Sequence, residues 1–431
     1  MRSFLTAVLA CTAVAAAVLS CSSGSTAEPS AKGAAELTYF RDIKPIIDHK
    51  CGQCHVQGGI APFALTTPEE VAAHKDEIKV ATKSRAMPPW PPSAACGEYL
   101  HDRSLTEDQI ATIGRWVDGD ARAGSAGAVK PATTGSSLSR VDRTLEMPAA
   151  YTPAKSPDDY RCFVLDWPET ATKYVTGFGV RPGVAAMVHH VIAFLAPPEE
   201  VATYTALDAA DPGAGYECFG GAGGGGRPRW IGAWAPGIQG TDFPEGTGIK
   251  VSAGSKIVLQ VHYNTHGAAP APDLSSVLIR LDDSVAKEAF LMPWTNPAWV
   301  FQGTMKIPPR STDVGYEFAL DPTTVAAAAT EDGLPNGVPL TVYSSTLHMH
   351  EHGAKAVLEI ERAEGDRECV LDIPKWNFHW QGIYDLAKPK IVRPGDRLKL
   401  SCRWNNQEDR SIGWGEGTSD EMCLGVVYVT R

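Results

Sequence analysis

Cys51-Gly52-Gln53-Cys54-His55 sets two thiols and an imidazole at the spacing that attaches a c-type haem. The thiols can add to the haem vinyl groups, and His55 then lies beneath the iron as its proximal ligand. A bare Cys-x-x-Cys would also suit zinc or a redox dithiol. Zinc, however, needs two further ligands at suitable spacing, and none follows closely. The sixth iron ligand is read as Met87, in Arg85-Ala86-Met87-Pro88-Pro89-Trp90. A thioether opposite histidine raises the reduction potential, and the prolines fix φ so that no helix absorbs the segment. His74 and His101 compete for that role, but both lie in or beside polar, helix-like segments.

A second set of chemistry-bearing residues lies in apolar, strand-like runs. His189 and His190 sit in Met187-Val188-His189-His190-Val191-Ile192-Ala193-Phe194, and His262 ends Gln260-Val261-His262-Tyr263. His348 and His350 stud Leu347-His348-Met349-His350-Glu351-His352. Residues two apart on a strand share a face, so His348 and His350 form a chelate. His189 and His190 should point to opposite faces, and joint ligation needs a twist or bulge. One buried histidine is usually a hydrogen-bonded core residue, whereas several in apolar strands point to metal. Imidazole alone would allow zinc, copper, nickel or iron.

Met422, in Thr418-Ser419-Asp420-Glu421-Met422-Cys423, narrows that choice. With the His189-His190 pair, Gln260 to Tyr263 and His348-x-His350, it makes the chain resemble the copper type II monooxygenases. That is the family of dopamine β-monooxygenase and peptidylglycine α-hydroxylating monooxygenase. The motifs are short, but they occur together in the family's order over about residues 150–431. The resemblance implies two copper ions, one in each of two β-sandwiches. His189, His190 and His262 would hold the electron-transfer copper; His348, His350 and Met422 would hold the copper that meets dioxygen. A soft thioether suits Cu(I), the state that must do so. The resemblance also implies a Cys402–Cys423 disulfide. Thr346 and Leu424 stand where peptide-hydroxylating members clamp a substrate carboxylate, so a C-terminal glycine substrate is not expected. His352 is an extra histidine on the His348 face, read as a solvated loop residue rather than a spare ligand or proton handler.

These residues need three kinds of scaffold. Phe40, Ile43 and Ile47 recur at helical spacing before the haem motif. Thr67-Pro68-Glu69-Glu70 is a capping box opening a helix to about Lys83, and Thr106 to Gln109 repeats it ahead of Ile110, Ile113 and Val117. Residues 37–123 thus resemble a class I cytochrome c, an all-α domain. Small flexible residues mark a linker over 124–145. Beyond it, alternating strands such as Lys256 to Tyr263 predict two all-β antiparallel sandwiches, jelly-roll-like, over 146–285 and 286–431.

Residues 1–20 read as an export signal, with Arg2 before an apolar run and Val18-Leu19-Ser20-Cys21 as a lipobox. Cutting at Val8-Leu9-Ala10-Cys11 would leave too short an apolar core. Cys21 would carry the lipid and 21–36 would be a tether; a secreted protein is the alternative. No later run is long enough to span a bilayer, so the membrane is met only through the lipid anchor. The address is then a bacterial cell envelope, periplasm-facing or at the surface, and Ser22 leans towards the outer membrane. A net charge of −11 disfavours nucleic acid as partner. Of ten cysteines, those remaining after signal, lipid and haem are Cys96, Cys162, Cys218, Cys369, Cys402 and Cys423, an even set suited to disulfides. Cys162 with Cys218 is favoured, and Cys96 and Cys369 are left unassigned.

The function expected is an exported monooxygenase that hydroxylates a C–H bond of a small organic substrate with dioxygen. Electrons would pass from an external donor (a redox protein, a quinol-linked chain or an ascorbate-like reductant) to one covalent haem c. From there they would reach the His189 copper and then the His348 copper. The alternative is a copper-binding or electron-transfer lipoprotein without hydroxylase activity. Gly223-Gly224-Gly225-Gly226 lacks the Gly-Lys-Ser/Thr ending of a phosphate loop and reads as surface loop.

Overall fold

The structure, a computed structural model, describes residues 36–57, 61–126, 138–225, 229–236, 238, 240–327 and 334–431. The export signal, Cys21, nearly all of the tether, the middle of the linker and Gly226 lie outside these residues.

A π-helical turn, Tyr39–Ile43, runs into helix Lys44–Lys50. The Thr67 hydroxyl accepts from the Glu70 N–H while the Glu70 carboxylate accepts from the Thr67 N–H, and Thr106 and Gln109 repeat the exchange. Each box satisfies two donors that a helix start leaves orphaned. The first helix, Pro68–Ala73, stops at His74 and resumes as Lys75–Lys83, where one helix was expected. His74 leaves helical geometry there, and its ring stacks on Phe63 at 3.8 Å. Helix Glu107–Asp118 closes the group, and Ile43, Ile47, Val71, Ile113 and Trp116 meet in its core.

Residues from Trp90 to Leu100 leave these helices and strap onto the C-terminal β region. Tyr99 forms a β-bridge with Leu386, and the Leu100 N–H donates to the Asp385 carbonyl. Trp90 and Tyr99 pack edge-on against Tyr384. Cys96 is bonded to Cys369, the pair that sequence left unassigned. The structure also pairs Cys162 with Cys218 and Cys402 with Cys423.

The rest is mainly antiparallel β. Asp158–Asp166, Lys256–Asn264, Val188–Ala196 and Arg229–Trp234 lie side by side in one sheet. Thr247–Val251, Lys173–Arg181, Ser276–Asp282 and Arg143–Glu146 form the facing one. Phe163, Val191, Ile231 and Leu259 meet Val175, Ile249 and Val277 between them. Alternation turns Val258, Gln260 and His262 to the face away from that core, where Val258 packs with Cys162 and Cys218.

A second pair of sheets follows. Lys287–Trp294, Leu424–Thr430, Leu340–His348 and Tyr384–Val392 form one. Ser311–Leu320, Arg397–Asn406, Gly353–Glu361 and Arg367–Ile373 form the other, with Met292, Val342, Leu358, Leu400 and Val427 buried between. Lys287–Trp294 belongs to both halves, because Leu291 also pairs with Trp230 of the first. The expected boundary at 285/286 falls just before this shared strand. Among the described residues, no helix is long and apolar enough to cross a membrane.

The Cys96–Cys369 bond closes a long stretch of chain and fastens the strap. Replacing both by serine is expected to destabilise the protein by about 2–5 kcal/mol, read as a lower urea midpoint.

Candidate metal centres

Strand Val188–Ala196 loses register between Val188, opposite Tyr263, and His190, opposite His262. The irregularity sits at His189 and breaks the alternation that would send the two histidines apart. The ligand nitrogens of His189, His190 and His262 consequently lie within 4.8 Å of one another. His262 Nε2–H donates to Asp158 Oδ1 at 2.9 Å, leaving Nδ1 as a lone-pair donor 3.3 Å from His190 Nδ1. That spacing fits two ligands each about 2 Å from one ion. His189 Nδ1 is buried with no hydrogen-bond partner, an orphan that a metal would satisfy. A carboxylate behind a ligating imidazole is the usual support for a metal.

Asp158 does more than orient His262. It also accepts from Asn264 Nδ2, the Thr418 N–H and the Thr418 hydroxyl. Burial alone would raise its carboxyl, but the hydrogen bonds from His262 and Thr418 hold it well below the usual range.

His348, at the end of its strand, donates Nδ1–H to Gln381 Oε1 at 2.5 Å, and His350 donates Nδ1–H to the Asp420 carbonyl at 3.2 Å. Both keep Nε2 for a metal, and their rings are 5.1 Å apart. Met422 lines the same cavity as His348 and is buried. Glu421, fully buried, accepts from the N–H groups of His350, His352 and Met422 and from Trp404 Nε1. One carboxylate thereby fixes the His350 turn against the Met422 loop; burial pushes it up to about 7 despite those donors. Burial also lowers His348 to about 4 and His350 to about 3, and takes His189 and His190 well below their ordinary value. Neutral imidazole is the form that binds metal.

The clusters are neighbours. His190 and His348 are 6.0 Å apart, centroid to centroid, and the Phe378 ring stacks on His189 at 4.5 Å while lying 6.0 Å from His350. They open on a cavity of about 1130 Å³ walled by Trp230, Trp234, Phe301, Trp414 and Val426. Glu351 and Glu416 bring carboxylates to it, and burial pushes Glu416 up to about 7. No lysine or arginine is among its described lining residues, which include Thr346 and Leu424. His352 is outside this set. Its ring, only 13 % exposed, lies 3.4 Å from the Glu408 carboxylate, so it is not the solvated loop residue expected. The packing of its turn under Glu421 accounts for that.

Cys51 and Cys54 are free thiols, and burial pushes Cys51 up to about 12 and raises Cys54. Such thiols are poor redox or zinc-binding thiolates. His55 Nδ1 donates to the Phe63 carbonyl at 3.0 Å, which leaves Nε2 free, as a proximal iron ligand requires. Met87 is half-buried just past helix Lys75–Lys83, before a cis peptide to Pro88. The His74 ring is engaged by Phe63, and His101 is exposed.

Sequence reasoning missed Asp158, Phe378, Gln381 and the clamp made by Glu421. Only the aromatic-rich run Trp376-Asn377-Phe378-His379-Trp380-Gln381 carried a signal, as an unusual loop composition.

Residues 144–269 match the N-terminal domain of copper type II ascorbate-dependent monooxygenases, and 298–430 match the C-terminal domain. These matches together span more than half of the chain, which belongs to that family. Among its relatives is dopamine beta-hydroxylase of Equus caballus, 32 % identical over 204 residues, covering 46 % of this chain and 32 % of the relative. The Homo sapiens dopamine beta-hydroxylase is 32 % identical over 206 residues, with the same coverage. DBH-like monooxygenase protein 1 of Homo sapiens is 26 % identical over 211 residues, covering 46 % of this chain and 33 % of the relative. The match thus spans about a third of the length of these curated relatives. The cowpea mosaic virus top component aligns at a TM-score of 0.25 and 8 % identity, covering 70 % of this chain and 93 % of that chain, too distant to bear on function.

Asp158→Asn would weaken support for the His262 tautomer. Copper affinity at the His189-His190-His262 cluster is expected to fall about 10–100-fold, measured by Cu(I) competition with a chromogenic chelator.

Proposed function

We propose that this chain is an exported copper monooxygenase that hydroxylates a C–H bond of a small organic substrate with dioxygen, and that it carries its own haem c as electron donor. The observation that carries this reading is the meeting of His189, His190, His348 and Met422 on a single apolar cavity, with His262 clustered behind the first pair and His350 tied to the Met422 loop. Copper held by the two clusters would supply the one-electron and dioxygen chemistry that side chains lack.

The chain's own contribution is positioning. Asp158 and Gln381 set the faces that His262 and His348 present, and Glu421 sets the Met422 loop. Trp230, Trp234 and Trp414 exclude water from where a substrate would lie. The relatives' name points to dopamine, an aromatic amine. A cavity with Glu351 and Glu416 and no described cation favours an apolar amine and opposes a carboxylate.

For haem, the support is the pair of free thiols, the His55–Phe63 hydrogen bond and the placement of Met87 beyond its helix. His55 and Met87 would hold the iron, with residues 37–123 as its domain, and an external donor would keep it reduced. Three disulfides fit an oxidising compartment outside the cytoplasm, in line with the signal and Cys21.

The test uses copper-loaded holoprotein with a panel of arylalkyl amines and carboxylic acids, following dioxygen uptake and hydroxylated product. Product is expected from amines and not acids, and Met422→Ala or copper chelation should abolish it. Full hydroxylation by Met422→Ala would overturn the site assignment.

A further inference from the structure

The haem motif and the copper cavity share a wall. Cys54, Arg103 and Tyr384 line a narrow crevice together with Trp380 and Gln381. Trp380 and Gln381 also line the large cavity on whose wall His348 lies. Gln381 is held on both sides, since its Oε1 accepts from His348 Nδ1 and its Nε2 donates to the Phe378 carbonyl at 2.9 Å. Among the described residues, no candidate copper ligand of either cluster lines the crevice itself, and the hydrogen bond from His348 to Gln381 is what ties the crevice to one cluster rather than the other. The strap keeps this arrangement in place: the Tyr99–Leu386 bridge and the Cys96–Cys369 bond anchor the helical layer to the same β region.

We propose that Trp380 and Gln381 carry the electron from a haem at Cys51, Cys54 and His55 to copper at His348, which rests on the haem and copper reading above. The pair of coppers would then be charged from the His348 end, not from the His189-His190-His262 end that the family resemblance implied. Each transfer oxidises one ferrous haem to ferric and reduces one Cu(II) to Cu(I). No bond forms or breaks, and an external one-electron donor restores the haem. Contact between the His190 and His348 rings gives the electron a way on to the other cluster. Trp380 supplies a polarisable ring between crevice and cavity. Gln381 supplies a hydrogen bond to the ligand without adding charge beside it.

Haem and copper are first counted in each protein. Holoprotein with ferric haem and Cu(II) is then flash-reduced without oxygen by a soluble photosensitiser, and loss of ferrous haem absorbance is timed against loss of the Cu(II) electron-spin signal. His190→Ala, which spoils the first cluster, is expected to keep fast haem reoxidation, and His350→Ala to lose it. Trp380→Leu, with iron, copper and Cu(II) spectrum unchanged, is expected to lose the fast phase, an effect that a merely structural role would not produce. The route is overturned if the fast phase disappears in His190→Ala and survives in His350→Ala, or survives in a fully loaded Trp380→Leu protein. A wild-type protein that binds no haem or no copper overturns the underlying reading together with the route.

Discussion

Asp158 lies where the two β halves meet, and both metal clusters depend on what it holds. Its carboxylate takes hydrogen bonds from His262, Asn264 and Thr418, so the ligand strand of the first half and the Met422 loop of the second are tied to one group. Tyr160 adds a bond from its hydroxyl to the Glu416 carbonyl on the same loop. A charge-assisted bond of this kind is worth roughly 1.5–3 kcal/mol, and leaving buried donors unpaired costs a similar amount each. This junction adds to the shared strand Lys287–Trp294 in holding the two halves around the cavity.

Burial then does chemical work. Six candidate ligands sit in a region dry enough to keep the imidazoles neutral, and each histidine with an assigned hydrogen bond spends one nitrogen on the protein and keeps the other. Holding ligands in place before the metal arrives reduces the ordering that binding must impose. The aromatic walls extend the same dry region through the cavity, with Glu351 and Glu416 as its acidic lining residues.

Much of this was legible in the sequence because it is local. The capping boxes at Thr67 and Thr106 need only four consecutive residues, and alternation of apolar residues reported the strands on either side of His190 and His262. The clustering of His189, His190 and His262 was anticipated from residue types and their order. The supports were not legible, because each joins residues far apart in the chain: Thr418 reaches Asp158 across 260 positions and Cys96 reaches Cys369 across 273. The strap through Trp90 and Tyr99 lay hidden for the same reason, since those residues look like part of a helical haem domain yet pack on a β one. The bulge at His189 was required by the ligand set, but its side chains do not announce it.

One chain that holds three redox metals within connected sites is the central claim. The direct measurement is copper and iron per chain in mature protein made with haem, reconstituted anaerobically with Cu(I) and freed of loose metal. Two coppers and one iron are the expected result. One copper or none beside a full complement of haem would contradict the paired-site account.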